Sequence, residues 1–398
     1  MTGRKVPTSP QETATLSEAP TPLPFIDLGA QRRRLGAAID QAILRVVDHG
    51  AYILGPEVRM LEAELSAFCG AKHVVSCGNG TDALALVLMA LELKPGDAVL
   101  CPSFTFAATA EVVAWFGATP VFADVCENSF NVDVQTLASA LKTARERGLR
   151  PVGVIPVDLF GWSADYDTIT PFCEREGLWM LCDAAQSFGG TYRGRRLGTF
   201  GTATTTSFFP AKPLGCYGDG GAIFTDDPAL ADVLRSLRVH GQGVDKYDNV
   251  RIGMNGRLDT IQAAILLQKL TIFEEEIATR NLIARRYAEG LSDVAIVPEP
   301  PDEVVSTWAQ YTIRLAPGRR DALAAVLKEL GIPSAIYYPK PLHRQTAYGH
   351  FPVPGNGLPV SDQLADEVIS LPMHPYLDTA TQERIIDAVR SFGRSLDE

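Results

Sequence analysis

Lys212 stands between an apolar run, Phe208-Phe209-Pro210, and a glycine-dense turn carrying Gly215, Gly218, Gly220 and Gly221. Apolar surroundings disfavour an ammonium group, so the pKa of such a lysine falls and its neutral amine becomes a nucleophile able to form an imine with an aldehyde. Glycines let backbone come close to a bulky, charged ligand. A surface lysine beside a glycine turn would carry the same local pattern, so this stretch alone leaves both readings open. Asp183 closes the apolar run Leu178-Trp-Met-Leu-Cys182 and is followed by Gln186. A carboxylate there can hold a protonated ring nitrogen, and Gln186, one helical turn on, can reach the same ligand; an Asp at a strand end can equally cap a helix. The third candidate is Gly78-Asn-Gly-Thr81, which follows Val74-Val-Ser-Cys77 and opens an apolar helix. Free backbone N–H groups and the helix dipole favour a phosphate at such a point. The plain alternative is a glycine-capped helix with Thr81 or Asp82 in its first turn.

The elements that must position these residues alternate. Apolar spacing at Leu35, Ile39, Ile43 and Val46 predicts a helix over 31–48, and a second over 57–69. Strands are predicted at 74–77, 97–106, 120–124, 152–157 and 178–182, with helices at 81–92, 107–116, 133–147 and 166–176 between them. Such alternation with short connections predicts an α/β fold with a mainly parallel sheet, whose ligands sit at the carboxyl ends of its strands. Lys212 lies on the strand and turn after Asp183, so both candidates fall at neighbouring strand ends. Beyond a helix at 228–238, a long helix at 259–289 leads into a smaller region with a strand at 311–315 and helices at 320–330 and 378–395. The expected division is a tail at 1–23, a large domain at 24–270 and a small C-terminal domain at 271–398.

Composition narrows the partners. With 398 residues the chain is long enough for two domains, and its net charge of −11 and pI near 5.1 make nucleic acid or an anionic membrane a poor partner. Seven cysteines, with no C-x-x-C pair, read as core residues in a reducing cytoplasm, and no metal site is expected. No apolar run reaches the roughly 18–20 residues of a membrane span. The first residues are rich in Thr, Pro, Ser and Glu and read as disordered.

Seven motifs together carry a resemblance: Gly78-Asn-Gly-Thr-Asp-Ala-Leu84, Pro102-Ser-Phe-Thr-Phe-Ala-Ala-Thr109, Asp183-Ala-Ala-Gln-Ser187, Ser207-Phe-Phe-Pro-Ala-Lys212, Gly218-Asp-Gly-Gly221, Arg238-Val-His-Gly241 and Asn255-Gly-Arg-Leu-Asp259. From about residue 25 onward the chain resembles the DegT/DnrJ/EryC1/StrS aminotransferases, enzymes that use pyridoxal 5'-phosphate (PLP) on nucleotide-linked keto-sugars. The resemblance implies the type I aminotransferase fold, a homodimer with shared active sites, and L-glutamate as amino donor, released as 2-oxoglutarate. It implies that Lys212 binds PLP as a Schiff base, that Asp183 pairs with the ring nitrogen, that Phe106 stacks on the ring, and that Gln186 touches the phenolic oxygen. Gly80, Thr81 and Ser207 would bind the phosphate, completed by Asn255 from the other subunit. Members that lack the lysine carry out dehydration, so Lys212 favours transamination.

A closer resemblance, over Thr206–Thr225, Ala263–Leu270, Ile272–Ile277 and Leu371–Leu377, is to enzymes that aminate UDP-2-acetamido-2-deoxy-3-oxo-glucuronate at C3 for bacterial surface polysaccharide. It implies that Arg257 binds the sugar carboxylate and that Tyr337, Tyr338 and His343 line the sugar pocket. Gly256, where serine is common, and Tyr337, where some members have histidine, depart from that pattern. Two alternatives stand beside it: another 3-keto or 4-keto sugar on dTDP or UDP, and a PLP-binding regulatory protein without turnover. A nicotinamide site is disfavoured, because Gly78-x-Gly lacks the third glycine of that fingerprint.

Overall fold

The computed structural model of the chain describes residues 23–245 and 247–394. The expected disordered tail lies outside the described residues except for Leu23, which packs against the C-terminal core.

The helical spacing over 31–48 resolves into two helices, α1 (Leu28–Leu35) and α2 (Ala37–His49), because Gly36 adopts φ 52° between them. That left-handed backbone is open to glycine and breaks the helical hydrogen-bond ladder. Helix α3 (Pro56–Cys69) starts on a proline and stops at left-handed Gly70. There follow β1 (His73–Cys77), α4 (Gly80–Ala90), β2 (Asp97–Pro102), α5 (Ala108–Trp115), β3 (Thr119–Ala123), α6 (Val134–Glu146), β4 (Arg150–Val154), α7 (Tyr166–Glu176) and β5 (Trp179–Asp183). A small hairpin, β6 (Thr191–Tyr192) and β7 (Arg195–Arg196), precedes β8 (Ala203–Ser207), β9 (Gly221–Thr225) and α8 (Pro228–Leu237).

Seven of these strands form one sheet in the order β1-β9-β8-β5-β4-β2-β3, in which β9 alone runs antiparallel to its neighbours. The α/β class and the mainly parallel sheet are as expected. Two strands stop earlier than their apolar runs suggest. β2 ends at Pro102 rather than Phe106, and β4 ends before Pro156, because proline has no N–H to give the ladder. Both faces of the sheet are covered, so strand residues alternate between two cores: Ala98 and Leu100 pack on one side, Val99 and Cys101 on the other. In α4, Ala83 through Leu88 are all buried. A leucine fully buried in this way contributes roughly 1.5–3 kcal/mol.

The C-terminal region starts on α9 (Thr260–Leu291), a continuous helix of 32 residues in which position 270 is internal. Its first half packs against α2 and α3; Ile283, Tyr287 and Leu291 in its second half join a separate core. That core holds β11 (Tyr311–Arg314), paired with β12 (Val368–Leu371), together with α10 (Arg320–Glu329) and α12 (Thr379–Arg394). The remaining elements are β10 (Val304–Val305), which extends the hairpin, α11 (Pro359–Glu367) and two single-turn 3-10 helices at Leu159–Gly161 and Leu342–Arg344. Among the described residues no helix is long and apolar enough to cross a membrane. All seven cysteines are unpaired thiols.

Candidate functional site

Strands β5 and β8 are parallel neighbours, with Asp183 opposite Thr205. Asp183 is therefore delivered to the carboxyl edge of the sheet, and the turn after β8 brings Lys212 to the same edge. Asp183 is buried and accepts a hydrogen bond from the Ala185 N–H at 3.0 Å. Burial raises its pKa, an effect opposed by the Ala185 and Thr109 donors and by the Lys212 charge. Burial likewise lowers the pKa of Lys212, and Asp183 opposes the shift. The two side chains are thus near enough for their charges to interact, and desolvation dominates at both. Burial thus disfavours the charged form of both groups, and the charge of each partly offsets the shift of the other.

The N-terminus of α4 packs against the end of β8, the strand that leads to Lys212. Asn79 caps the helix by accepting from the Asp82 N–H at 2.7 Å, while the N–H groups of Gly80 and Thr81 find no acceptor among the described residues. Gly80 lies against Ser207: a Cβ on Gly80 would come within 2.8 Å of the serine Cβ. A Cβ on Gly221 would collide with the Asn79 carbonyl. Two free N–H groups and a hydroxyl thus converge where close backbone packing admits no side chain, a combination suited to a phosphate. The donor set, with the amine and the carboxylate beside it, fits PLP. Gly221→Ala is expected to force β9 away from this turn, at a cost of about 1–3 kcal/mol. Spectral titration of that variant with PLP should show affinity weakened at least about tenfold, the equivalent of 1.4 kcal/mol.

Gln186 is buried with both ends engaged. Its Oε1 accepts from the Phe160 N–H at 2.6 Å, and its Nε2 donates to the Tyr338 hydroxyl at 3.4 Å. Tyr338 is enclosed by Phe104, Phe106 and Tyr337, with ring centroids 5.9–6.4 Å apart. Phe106 is 58% exposed, so its ring is available to a ligand. Tyr337 is half-buried and also meets Phe25. His343 is tied down elsewhere: its Nδ1 is 2.7 Å from the Ser103 hydroxyl and its Nε2 is 3.2 Å from Asp362, which pins the 342–344 turn to the end of β2. Asn255 and Arg257 sit on a segment whose Gly256 carbonyl accepts from the Gly78 N–H at 3.2 Å. Arg257 donates to Asn255 Oδ1 at 2.6 Å, while its Nε–H is buried without an acceptor.

Sequence reasoning passed over three groups here. Thr109 lies inside the Pro102–Thr109 motif, but its influence on Asp183 needs the fold. Asp158 is buried and collects the Ala164 N–H at 2.9 Å and the Tyr166 and Ser187 hydroxyls at 2.7 Å each; burial pushes its pKa up to about 7. Its own N–H donates to the Asp183 carbonyl at 3.0 Å, so it joins the two loops that carry Gln186 and its partner Phe160. The third, Lys269, lies beneath the Lys212 turn.

Comparison with known proteins agrees over nearly the whole chain. A sequence model of the DegT/DnrJ/EryC1/StrS aminotransferase family matches residues 33–390. The UDP-2-acetamido-2-deoxy-3-oxo-D-glucuronate aminotransferase of Pseudomonas aeruginosa is 49% identical over 366 residues, which cover 92% of this chain and 99% of that protein. The crystal structure of a DegT DnrJ EryC1 StrS aminotransferase from Brucella abortus superposes with a TM-score of 0.92 at 55% identity, covering 93% of this chain and 99% of that one. The S. venezuelae protein DesV, in complex with a ketimine intermediate, superposes with a TM-score of 0.88 at 38% identity, covering 94% and 98%.

Proposed function

Because the chain belongs to the DegT/DnrJ/EryC1/StrS aminotransferase family, we propose that it moves the amino group of L-glutamate to C3 of UDP-2-acetamido-2-deoxy-3-oxo-glucuronate. The chain is a PLP-dependent aminotransferase of nucleotide-linked sugars. The donor, the particular sugar and the residue roles are our reading. It rests chiefly on one observation: the desolvated Lys212 amine beside buried Asp183, next to the uncommitted first-turn N–H groups of α4.

When bound, PLP supplies an aldehyde that takes up the amino group and a ring that spreads the electron pair left by α-hydrogen removal. Lys212 Nζ, its ammonium form disfavoured by burial, takes the α-proton from glutamate and returns it. Asp183 holds the proton on the ring nitrogen. Gly80, Thr81 and Ser207 anchor the phosphate, Phe106 covers the ring, and Gln186 meets the phenolic oxygen. Tyr337, Tyr338 and His343 border the sugar, the last through the loop it holds.

Arg257 gives the reading its specificity. Its unpaired Nε–H wants an acceptor, and a sugar carboxylate can supply one in a paired geometry. We assign Arg257 and Asn255 to the site of a second copy in a homodimer. Exposed Leu44, Val47 and Met60 on α2 and α3 offer apolar surface for such a contact; a single-chain mass by sedimentation would remove the dimer. The unpaired thiols accord with a cytoplasmic enzyme.

The test is spectroscopic and then chemical. The purified protein with PLP is expected to show a visible band that bleaches on L-glutamate and yields 2-oxoglutarate; no band after added PLP overturns the site. The 3-oxo-glucuronate substrate should be aminated at least about tenfold faster than its neutral C6-hydroxyl analogue, and Arg257→Met should erase that preference, since a charge-assisted hydrogen bond contributes about 1.5–3 kcal/mol. Equal rates in the native enzyme would favour a neutral keto-sugar instead.

A further inference from the structure

Lys269 is a fully buried lysine on α9 that the reaction does not use. Its Nζ donates to the Gly215 carbonyl at 2.6 Å and lies 4.3 Å from the centre of the Tyr217 ring, packed against its face. It makes no direct ion pair among the described residues, although the charge of Glu276 acts on it. Burial pushes its pKa down to about 8. A methionine would fill the same volume without the desolvation penalty, so the ammonium is explained by what it holds.

What it holds is the turn after Lys212. That turn folds tightly on itself: a Cβ on Gly215 would come within 2.6 Å of the Phe209 and Pro210 carbonyls. The Phe208 carbonyl accepts from the Cys216 N–H at 2.8 Å and from its thiol at 3.1 Å, and the Lys212 N–H donates to the Phe209 carbonyl at 2.8 Å. Among the described residues, two α9 side chains bond to this turn. Gln262 Oε1 accepts from the Tyr217 N–H at 2.9 Å, and Lys269 binds Gly215 and Tyr217. An acceptor carbonyl and a ring face on either side of Cys216 leave the turn little freedom to tip away from the sheet edge.

We propose that Lys269 is a positioning residue, an internal cationic clamp that fixes the Phe208–Gly220 turn so that the Lys212 amine stays aimed at the cofactor aldehyde. The inference rests on the assignment of Lys212 as the cofactor lysine.

The experiment measures how fast apoenzyme captures PLP covalently, by borohydride quenching and peptide mass mapping. Lys269→Met and Lys269→Gln are compared with Ile283→Ala, which disturbs the far end of the same helix. Lys269→Met is expected to slow capture at least tenfold, Lys269→Gln less, because its amide can still donate to Gly215. Ile283→Ala should capture at the native rate despite a lowered Tm. If Lys269→Met does not fold, Lys269→Gln decides, with a threefold slowing as the threshold. Native-rate capture by the folded Lys269 variants, or equal slowing in Ile283→Ala, overturns the clamp. A label on a lysine other than Lys212 in the native enzyme instead overturns the assignment beneath it, so the two failures are distinct.

Discussion

Lys212→Ala is expected to lower kcat about 10³-fold or more, the upper part of the range for loss of a positioned proton-transfer group. The variant should still fold and still take up PLP without a covalent bond, because the free N–H groups of Gly80 and Thr81 and the Ser207 hydroxyl do not depend on the lysine. The reason for so large an effect is electrostatic. An exposed lysine is protonated at neutral pH and can neither attack an aldehyde nor accept a proton. For Lys212, burial disfavours the ammonium form, with Asp183 opposing the shift. Burial thus shifts the balance toward the basic amine, and no other lysine acts on Asp183 among the described residues. Single-turnover mixing with L-glutamate checks this: the native spectral change should vanish on the native time scale and return in part with added methylamine, which supplies a free base. Turnover of Lys212→Ala within tenfold of native would mean that another group moves the proton.

Why some of this was legible in sequence and some was not follows from how each feature is encoded. Lys212 and Asp183 stand out because each ends an apolar run, and in a parallel sheet the end of a run is an address. The glycines at 80 and 221 mark places where a Cβ would collide, with the Ser207 side chain and with the Asn79 carbonyl. Strand ends were harder. Residues 103–105 and Val157 stay buried after the ladder stops, so hydrophobicity overshoots the strand. One glycine, Gly36, divided a helix whose apolar spacing continues across it. The two-residue hairpin strands have no periodicity to read. Asp158 and Lys269 were missed for one reason: both are charged residues at positions where sequence predicts water or a snorkelling side chain. Burial of charge is a property of the finished fold. Asp158 becomes tolerable through three donors brought from Ala164, Tyr166 and Ser187, and Lys269 through a carbonyl and a ring.

Asp183→Ala is expected to cut the rate about 10²-fold or more with the cofactor still bound, because removing one partner of a buried charge pair costs about 3–5 kcal/mol. The argument starts from the free protein. Asp183 is buried, its pKa is raised by desolvation, and its local donors, the Ala185 N–H and Thr109, oppose that shift without abolishing it. A cationic ring N–H would complete the set. With alanine there, that proton would face a desolvated gap and would leave, so the ring would lose its ability to accept the α-electron pair. Asp183→Asn tests the same point with volume kept. Its amide can donate to a bare ring nitrogen, which favours the unprotonated ring, so its rate should fall as far as that of alanine. A purely structural Asp183 predicts the opposite order, with asparagine near native and alanine impaired. Nitrogen-15 resonance of labelled PLP decides directly: the ring nitrogen should be protonated in the native enzyme and unprotonated in both variants. A protonated ring in Asp183→Ala would transfer the role to another acid and leave Asp183 as a strand-end anchor.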